Sequence, residues 1–312
     1  MQALDLTNAD SVRDIFFAGA KANREAACRE GSVDRIAAPG RLIATGDLHD
    51  NPLHFARLVR AAGMETGEEG RGGLEDVRAE SPVIAHLVLH EIIHSDRLIN
   101  GMDFSFRALA RVAALKARFP EHVHALLANH ELAQLKGAGI IKDGVKVVDA
   151  FNEGVEYVFG DEAASVQEGI RAFIESMPLA LRAHCETPDG RSMDILCAHS
   201  LPSTAMMGRF DPTVLRRDLA PEDYEPRTGA AHIMVWGRGY DADQLEDLVE
   251  RWGVNLFILG HEKAENGVQF IAPCAIVLNS DHERGVYLPI DLANPPTPEE
   301  AAWMVVPLSV AE

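Results

Sequence analysis

The chain has 312 residues, of which 47% are apolar and 25% charged, a composition typical of a soluble globular protein that needs no disulfide bonds to stabilise its core. Its net charge of −19 argues against nucleic acid or an anionic membrane as a partner. No apolar run reaches the about 20 residues that cross a membrane, and the chain does not open on the pattern of a signal peptide. Four scattered cysteines without a CxxC pair indicate reduced thiols, so we expect a cytoplasmic protein: Cys28, Cys185, Cys197 and Cys274.

The first part of the chain predicts alternating helices and strands. Apolar residues at helical spacing predict a helix over residues 9–30, and a short buried strand is expected over residues 41–45. A second helix, over residues 52–62, begins at a proline. Residues 63–81 are rich in Gly, Glu and Arg and are expected to form a loop or insertion. Further on, apolar runs cover residues 83–89, 122–127, 194–198 and 254–259, and helices are expected over residues 103–119 and 241–252.

The C-terminal part has a different pattern. Three short apolar segments separated by turn residues predict strands over residues 268–272, 275–279 and 286–290, in the manner of an antiparallel meander. The whole pattern predicts a mixed α/β protein in three parts: an N-terminal helical extension (1–40), a main domain (41–293) and a tail packed on that domain (294–312).

Five of the apolar runs end in polar residues that can bind metal. Because ligands gather at the carboxyl ends of strands in α/β sheets, we expect these side chains to lie close together. Carboxylate, amide and imidazole groups together suit Zn, Fe or Mn better than Ca or Mg, and one carboxylate can bridge two such ions. The residues are Asp47 and His49, Glu91, Asn129 with His130, His199, and His261.

These residues stand in motifs that resemble those of the calcineurin-like metallophosphoesterases, nearest the serine/threonine phosphoprotein phosphatase branch. Residues 46–49 read GDLH, similar to the GDxH motif of the family, and residues 128–131 read ANHE, similar to GNHE. Residues 197–199 and 260–261 resemble the two later motifs, in which a histidine follows an apolar strand. Residues 236–239, which read WGRG, resemble the Arg-Gly element of the phosphoprotein phosphatases.

The resemblance implies a four-layer α/β/β/α sandwich, with two mixed sheets packed face to face and helices outside. It implies a hydrolase in which two divalent or transition-metal ions (Mn, Fe or Zn) activate a hydroxide that attacks a phosphate ester. His130 would protonate the leaving oxygen and would be oriented by His94 or Asp96, while Arg238 and Arg97 would contact the phosphate. The implied metal ligands are Asp47, His49, Glu91, Asn129, His199 and His261.

The second motif departs from the family pattern GDxxDR. Glu91 replaces the bridging Asp, and His90 replaces a Gly, where it either fills the space or adds a metal ligand. Residues 90–94 also read HEIIH, the HExxH motif of zinc metallopeptidases, which requires a helix that brings both histidines to one face. Two alternatives to the phosphoesterase therefore stand: a degenerate, non-catalytic relative of the family and a zinc metallopeptidase.

The expected partner is a phosphorylated small molecule, a nucleotide polyphosphate or a phosphoprotein, with neither nucleic acid nor membrane. An acidic protein that handles phosphate must supply positive charge locally, and metal ions with a few arginines do so. The sequence does not indicate an oligomeric state.

Overall fold

The computed structural model of the chain describes residues 4–65, 84–142, 144–187 and 189–309. The predicted loop at 63–81 falls mostly outside these residues. Strands are β1 (Arg29–Glu30), β2 (Val33–Ala37), β3 (Arg41–Thr45), β4 (His86–Leu89), β5 (Val123–Ala125), β6 (Ile141–Lys142), β7 (Val145–Lys146), β8 (Ala180–Glu186), β9 (Ser192–Ala198), β10 (Leu256–Leu259), β11 (Val268–Ile271), β12 (Ala275–Leu278), β13 (Val286–Asp291) and β14 (Val306–Pro307). Helices are α1 (Ala9–Glu25), α2 (Pro52–Ala61), α3 (Phe106–Arg118), α4 (Asn129–Lys136), α5 (Val147–Phe159), α6 (Ala163–Glu175), α7 (Ala230–Val235), α8 (Ala242–Trp252) and α9 (Pro298–Ala301).

The strands form two large mixed sheets and one small hairpin. The larger sheet has seven strands in the order β1-β2-β8-β9-β10-β12-β11, and the other has five in the order β14-β13-β3-β4-β5. In the seven-stranded sheet β9, β10 and β12 run parallel, and in the five-stranded sheet β3, β4 and β5 run parallel. The carboxyl ends of parallel strands meet at one edge, so each sheet offers such an edge for a ligand site.

Alternation along the strands divides the core into two layers of contact. On β3, Leu42 belongs to one apolar cluster and Ile43 to the other, and on β10 the same holds for Ile258 and Phe257. The cluster that contains Leu42 and Ile258 lies between the two sheets. The cluster that contains Ile43 and Phe257 lies between the outer faces of the sheets and the helices. The predicted fold, two mixed sheets packed face to face with helices outside, is confirmed.

Local signals in the sequence define the helix ends. The Asn8 side chain accepts a hydrogen bond from the backbone N–H of Ser11 at the start of α1, and Asp241 does the same for Gln244 at the start of α8. Helix α4 ends at Lys136 and is capped by Gly137, which has a positive φ of 63°. Within the described residues, no helix has both the length and the apolar character needed to cross a lipid bilayer.

The N-terminal region differs from the prediction. The helix expected over residues 9–30 ends at Glu25, and residues 26–40 contain β1 and β2 instead of helix. Strand β2 pairs in parallel with β8 inside the seven-stranded sheet. Helix α1 packs on α3 and α6, where Phe16 meets Phe173 at 6.0 Å between ring centroids. The division into extension, main domain and tail stays a prediction, although β2 contributes to the sheet itself.

The meander predicted after residue 267 is wrong. Strands β11 and β12 form an antiparallel pair, but β13 crosses to the other sheet and pairs antiparallel with β3. The crossing is fixed by Ser280, whose hydroxyl accepts a hydrogen bond from the N–H of Gly46 (2.9 Å) and whose own N–H donates to the carbonyl of Asp47 (3.0 Å). In the tail, β14 pairs with β13.

Candidate metal centre

The metal-binding residues predicted from the strand ends lie together. Asp47 and His49 follow β3, Glu91 follows β4, and Asn129 begins the helix after β5, all in the five-stranded sheet. His199 and His261 follow β9 and β10 of the seven-stranded sheet. All six residues are at most 9% exposed. We call them the strand-end cluster: Asp47, His49, Glu91, Asn129, His199 and His261.

The loops that carry this cluster have an unusual backbone. His49, Glu91, His94 and His261 have positive φ angles of 41°, 48°, 59° and 65°, a region that non-glycine residues adopt at a cost. Such conformations concentrate at functional sites, where the surrounding contacts hold them. Here the carbonyl of Glu91 accepts a hydrogen bond from the N–H of His49 (2.8 Å).

Glu131, to which sequence reasoning gave no role, supports one of these loops. Its side chain is fully buried, and Oε1 accepts hydrogen bonds from the N–H groups of Ile92 (2.7 Å) and Ile93 (3.2 Å). Burial and the nearby charge of Glu91 raise the pKa of Glu131 to about 7. The signal was present in the sequence, because Glu131 completes the ANHE motif.

The side chains of His49 and Glu91 approach each other through two atoms that both carry lone pairs, Nε2 of His49 and Oε1 of Glu91. The Nδ1 of His49 lies 3.1 Å from the carbonyl oxygen of Ile93, which can only accept, so this nitrogen carries a proton. In the neutral ring the other nitrogen, Nε2, is therefore bare, and it lies 2.9 Å from Oε1 of Glu91. Burial lowers the pKa of His49, but the charge of Glu91 and the hydrogen bond to it together outweigh burial and raise the pKa to about 9. Either a proton or a metal cation must sit between these atoms.

A second group of side chains with metal-binding atoms surrounds His199. Its Nε2 lies 2.7 Å from Oδ1 of Asn129, 2.9 Å from Oε2 of Glu91 and 3.0 Å from Nδ1 of His261. Burial lowers the pKa of His199, but the charge of Glu91, the hydrogen bond to it and the charge of Asp47 act together in the other direction and leave the pKa raised. Burial and the neighbouring His199 lower the pKa of His261 to about 3, so that ring is neutral at neutral pH.

Asp47 lies on the far side of His199. Both of its carboxylate oxygens accept the backbone N–H of His261 at 3.0 Å, and Oδ1 lies 3.5 Å from Nδ1 of His199 and of His90. A Cβ at Gly260 would come within 2.3 Å of this oxygen and 2.4 Å of His90. The glycine of the last motif is therefore needed for space.

The donor set fits a cation. One acceptor atom of the cluster, Oε2 of Glu91, is buried without a hydrogen-bond donor, although it lies 2.9 Å from Nε2 of His199. Such an orphaned acceptor is costly unless a positive group meets it. Nitrogen and oxygen donors in this mixture suit Zn, Fe or Mn. In each of three buried groups of side chains, the atoms that could bind a metal lie within 4.8 Å of one another. The groups are His49, Glu91 and His130; Glu91, His199 and His261; and Asp47, His90 and His199.

His130 has one of its two expected partners. Its Nδ1 lies 3.1 Å from Nδ1 of His94, whose Nε2 lies 3.0 Å from Oε1 of Gln134. Asp96 is not a partner: its side chain is 65% exposed and forms an ion pair with Lys142 at 3.0 Å. The backbone turn at His94 directs that ring inward and leaves Asp96 outside.

The two arginines expected at the phosphate lie at the rim of the cluster, each beside a different histidine. Arg97 donates to the carbonyl of His49 (2.6 Å) and pairs with Asp281, and Arg238 donates to the carbonyl of His261 (2.6 Å). Their side chains are 43% and 52% exposed, so each is anchored but still reaches solvent.

The zinc-metallopeptidase alternative fails on backbone geometry. Residues 90–94 form no helix, since Glu91 and His94 both have positive φ. His90 faces His199 and His94 faces His130, so the two histidines of HEIIH do not share a face.

No family model and no curated protein matches this sequence. Among solved structures, the chain is similar to a protein serine/threonine phosphatase from Saccharomyces cerevisiae with similarity to human phosphatase PP5. The TM-score is 0.62 at 17% identity, over 91% of this chain and 83% of that one. It is also similar to the cold-active protein-tyrosine phosphatase of a Shewanella species, with a TM-score of 0.51 at 13% identity, over 82% of this chain and 77% of the other. The chain thus has the metallo-dependent phosphatase fold that its motif resemblance to the calcineurin-like metallophosphoesterases implies.

Proposed function

We propose that the chain is a metal-dependent phosphoesterase that uses two divalent or transition-metal ions. The observation that carries the proposal is the orientation of Glu91. Its Oε1 faces Nε2 of His49 (2.9 Å) and its Oε2 faces Nε2 of His199 (2.9 Å), so one carboxylate serves two donor groups. A carboxylate shared in this way is how two-metal hydrolases hold their ions.

The strand-end cluster would hold the ions. His49 and Glu91 would contribute to one ion, and Glu91 with Asn129, His199 and His261 would contribute to the other. Asp47 is proposed as a further ligand at the edge of this set. When bound, such ions supply a nucleophilic water at neutral pH and positive charge for the phosphate oxygens.

His130 is proposed to donate the proton to the leaving oxygen. Its Nε2 lies 3.6 Å from Oε1 of Glu91, at the edge of the donor set, and its Nδ1 contacts His94. His94 takes the orienting role in this proposal, and Gln134 holds His94 in turn. A proton donor fixed through its second nitrogen keeps one orientation toward the substrate.

The substrate is proposed to be a phosphomonoester on a small molecule or a protein. Two of the structurally similar proteins are named as a protein serine/threonine phosphatase and a protein-tyrosine phosphatase. Arg97 and Arg238 would contact the phosphate, and they supply positive charge in a chain of net charge −19. A cytoplasmic location belongs to the same proposal and is supported by four unpaired cysteines.

The test is hydrolysis by protein reconstituted separately with Mn, Fe and Zn. The substrates are p-nitrophenyl phosphate, a phosphoserine peptide, a phosphotyrosine peptide and a dinucleotide polyphosphate. We expect metal-dependent release of phosphate from at least one monoester, and its loss in Asp47→Asn. An unmodified peptide serves as the control substrate and stays intact.

Two outcomes oppose the proposed activity, and a third opposes only the proposed substrate. Metal uptake without hydrolysis of any substrate would identify a non-catalytic relative of the fold. Metal-dependent peptide cleavage would restore the metallopeptidase. Cleavage of the polyphosphate alone would keep the phosphoesterase but change its substrate class.

A further inference from the structure

His90 stands at a position where the motif resemblance predicts glycine, and its ring is fully enclosed. The side chain is 1% exposed, and its Nε2 lies 2.9 Å from the carbonyl oxygen of Thr45. A carbonyl oxygen only accepts, so Nε2 must carry a proton. In the neutral ring the other nitrogen, Nδ1, is then a lone pair with a fixed direction.

That lone pair meets two other buried atoms. It lies 3.2 Å from Nδ1 of His199 and 3.5 Å from Oδ1 of Asp47. The Asp47 oxygen lies 3.5 Å from the same His199 nitrogen. Two of these three atoms are acceptors, so one proton on Nδ1 of His199 satisfies both at once.

The proton on Nδ1 determines what the other nitrogen of His199 can do. A neutral imidazole has a single N–H, so Nε2 of His199 is left bare. That atom faces Asn129, Glu91 and His261 at 2.7, 2.9 and 3.0 Å. On the Nε2 side of His199, four side chains could therefore bind a metal ion: Asn129, Glu91, His261 and His199 itself. On the Nδ1 side the corresponding group has three: Asp47, His90 and His199.

We propose that His90 is a positioning residue for the metal centre. The chain of contacts from the Thr45 carbonyl through His90 to His199 holds His199 in the tautomer whose Nε2 can bind a cation. Metal-binding histidines commonly donate their second N–H to an oxygen, and here a second histidine accepts it. The inference rests on the proposed function, since it concerns a ligand of the same centre.

Gly260 makes this arrangement possible. A Cβ there would lie 2.4 Å from Cε1 of His90, so the imidazole occupies space that any other residue at 260 would fill. The imidazole at 90 therefore depends on the glycine at 260.

The experiment compares His90→Gln with His90→Leu, using Zn²⁺ alone as the probe. A glutamine amide can still donate to the Thr45 carbonyl and accept from His199, whereas leucine can do neither. We expect a loss of zinc affinity of about 10–100-fold in His90→Leu and only a few-fold in His90→Gln, measured by competition with a chelator. His86→Leu, a change of a part-buried histidine on β4 outside the centre, is the matched control and should leave zinc affinity unchanged.

Long-range ¹H–¹⁵N spectra of zinc-loaded protein give the second readout. We expect His199 to carry its proton on Nδ1 and zinc on Nε2 in the wild type and in His90→Gln. Zinc on Nδ1 of His90, or an equal loss of affinity in Gln and Leu variants with one nitrogen ligand fewer, would make His90 a direct ligand and overturn the proposal. Full affinity in a folded His90→Leu variant would reduce His90 to packing. A wild type that binds no zinc would defeat the proposed function instead.

Discussion

Within the part of the chain that the structure describes, two clusters of ionisable groups differ in how well they suit a metal. The Asp34 cluster, defined by Cys28, Arg29, Asp34, Lys116 and His124, brings three metal-type side chains within 4.8 Å, as the strand-end cluster does. In it the carboxylate of Asp34 accepts from Nε of Arg29 (2.6 Å) and from Nδ1 of His124 (2.7 Å). Each oxygen is already paired with a donor.

The two clusters differ in the kind of buried polar atom that is left without a hydrogen-bond partner. In the Asp34 cluster the buried atom without a partner is a donor, Nη2 of Arg29, whereas in the strand-end cluster a carboxylate oxygen, Oε2 of Glu91, is left over. Burial and the charge of Asp34 raise the pKa of Cys28 to about 12, so its thiol stays protonated and is a poor ligand. Proximity of His, Cys and Asp is therefore not enough to predict a metal site; the balance of donors and acceptors decides.

The largest expected effect comes from removing acceptor charge at the strand-end cluster. Glu91→Gln should abolish metal-dependent hydrolysis, because the amide removes the charge shared by both donor groups; changes to groups that merely orient ligands already cost roughly 10–100-fold. Glu91→Asp should keep or raise activity, since the resembled motif carries Asp. The measurement is kcat with metal content. Equal activity of wild type and Glu91→Gln would show that Glu91 does not bridge.

The next effect separates proton donation from metal binding. His130→Asn should slow an alkyl phosphate by about 10²–10⁴-fold and an activated aryl phosphate much less, because a nitrophenolate leaves without a proton. Metal content should stay near that of the wild type. Equal slowing of both substrates with metals retained would exclude His130 as the donor, and loss of metal would make it a ligand.

A stability effect is expected at the other cluster. Asp34→Asn should lower the free energy of unfolding by about 3–5 kcal/mol, because Arg29 is left as an unpaired, nearly buried charge. Metal uptake should not change. Asp247→Asn, in an exposed pair with Arg251, is the control and should change stability by less than about 1 kcal/mol.

The stability difference between wild type and Asp34→Asn should depend on pH in one direction. Burial raises the pKa of Asp34, but the hydrogen bond and charge of His124, with the charges of Arg29 and Lys116, together outweigh burial and hold the pKa below its usual range. The contribution is therefore fully present above the unfolded value of about 3.9 and is lost as the pH falls below it. Chemical denaturation should show a constant gap between wild type and Asp34→Asn from about pH 5 to 8 and a shrinking one below about pH 4. A gap that grows on acidification would contradict this.

The smallest effect concerns Asp96. Because its side chain is exposed and pairs with Lys142, Asp96→Asn should leave kcat within about 2-fold, as exposed pairs contribute little. His94→Leu, which removes the contact to His130, should lower kcat clearly. A large loss in Asp96→Asn would reinstate it as the orienting residue.

Much of the fold and the identity of the clustered residues could be predicted from the sequence. Apolar runs that end in Asp, Glu, Asn or His predicted the strand ends, and the order of the motifs predicted the sandwich. The path of β13 could not be predicted, because it depends on contacts of Ser280 with Gly46 and Asp47 more than 200 residues away in the chain.

The orientation of individual side chains could not be predicted either. Whether His94 or Asp96 contacts His130 depends on the positive φ angles in the loop after β4. Glu131, on helix α4, stabilises that loop through a hydrogen bond to its backbone. The place of His90 depends on the absence of a side chain at Gly260. Such choices are made by long-range packing, which a local pattern does not contain.

The most direct test of the difference between the two clusters is a count of bound metal. Wild type, Glu91→Gln and Asp34→Asn are each reconstituted with Mn, Fe and Zn and measured by elemental analysis after dialysis. We expect two ions per chain in the wild type and in Asp34→Asn, and fewer in Glu91→Gln. A wild type without metal, or a loss of metal in folded Asp34→Asn with full occupancy in Glu91→Gln, would contradict the account.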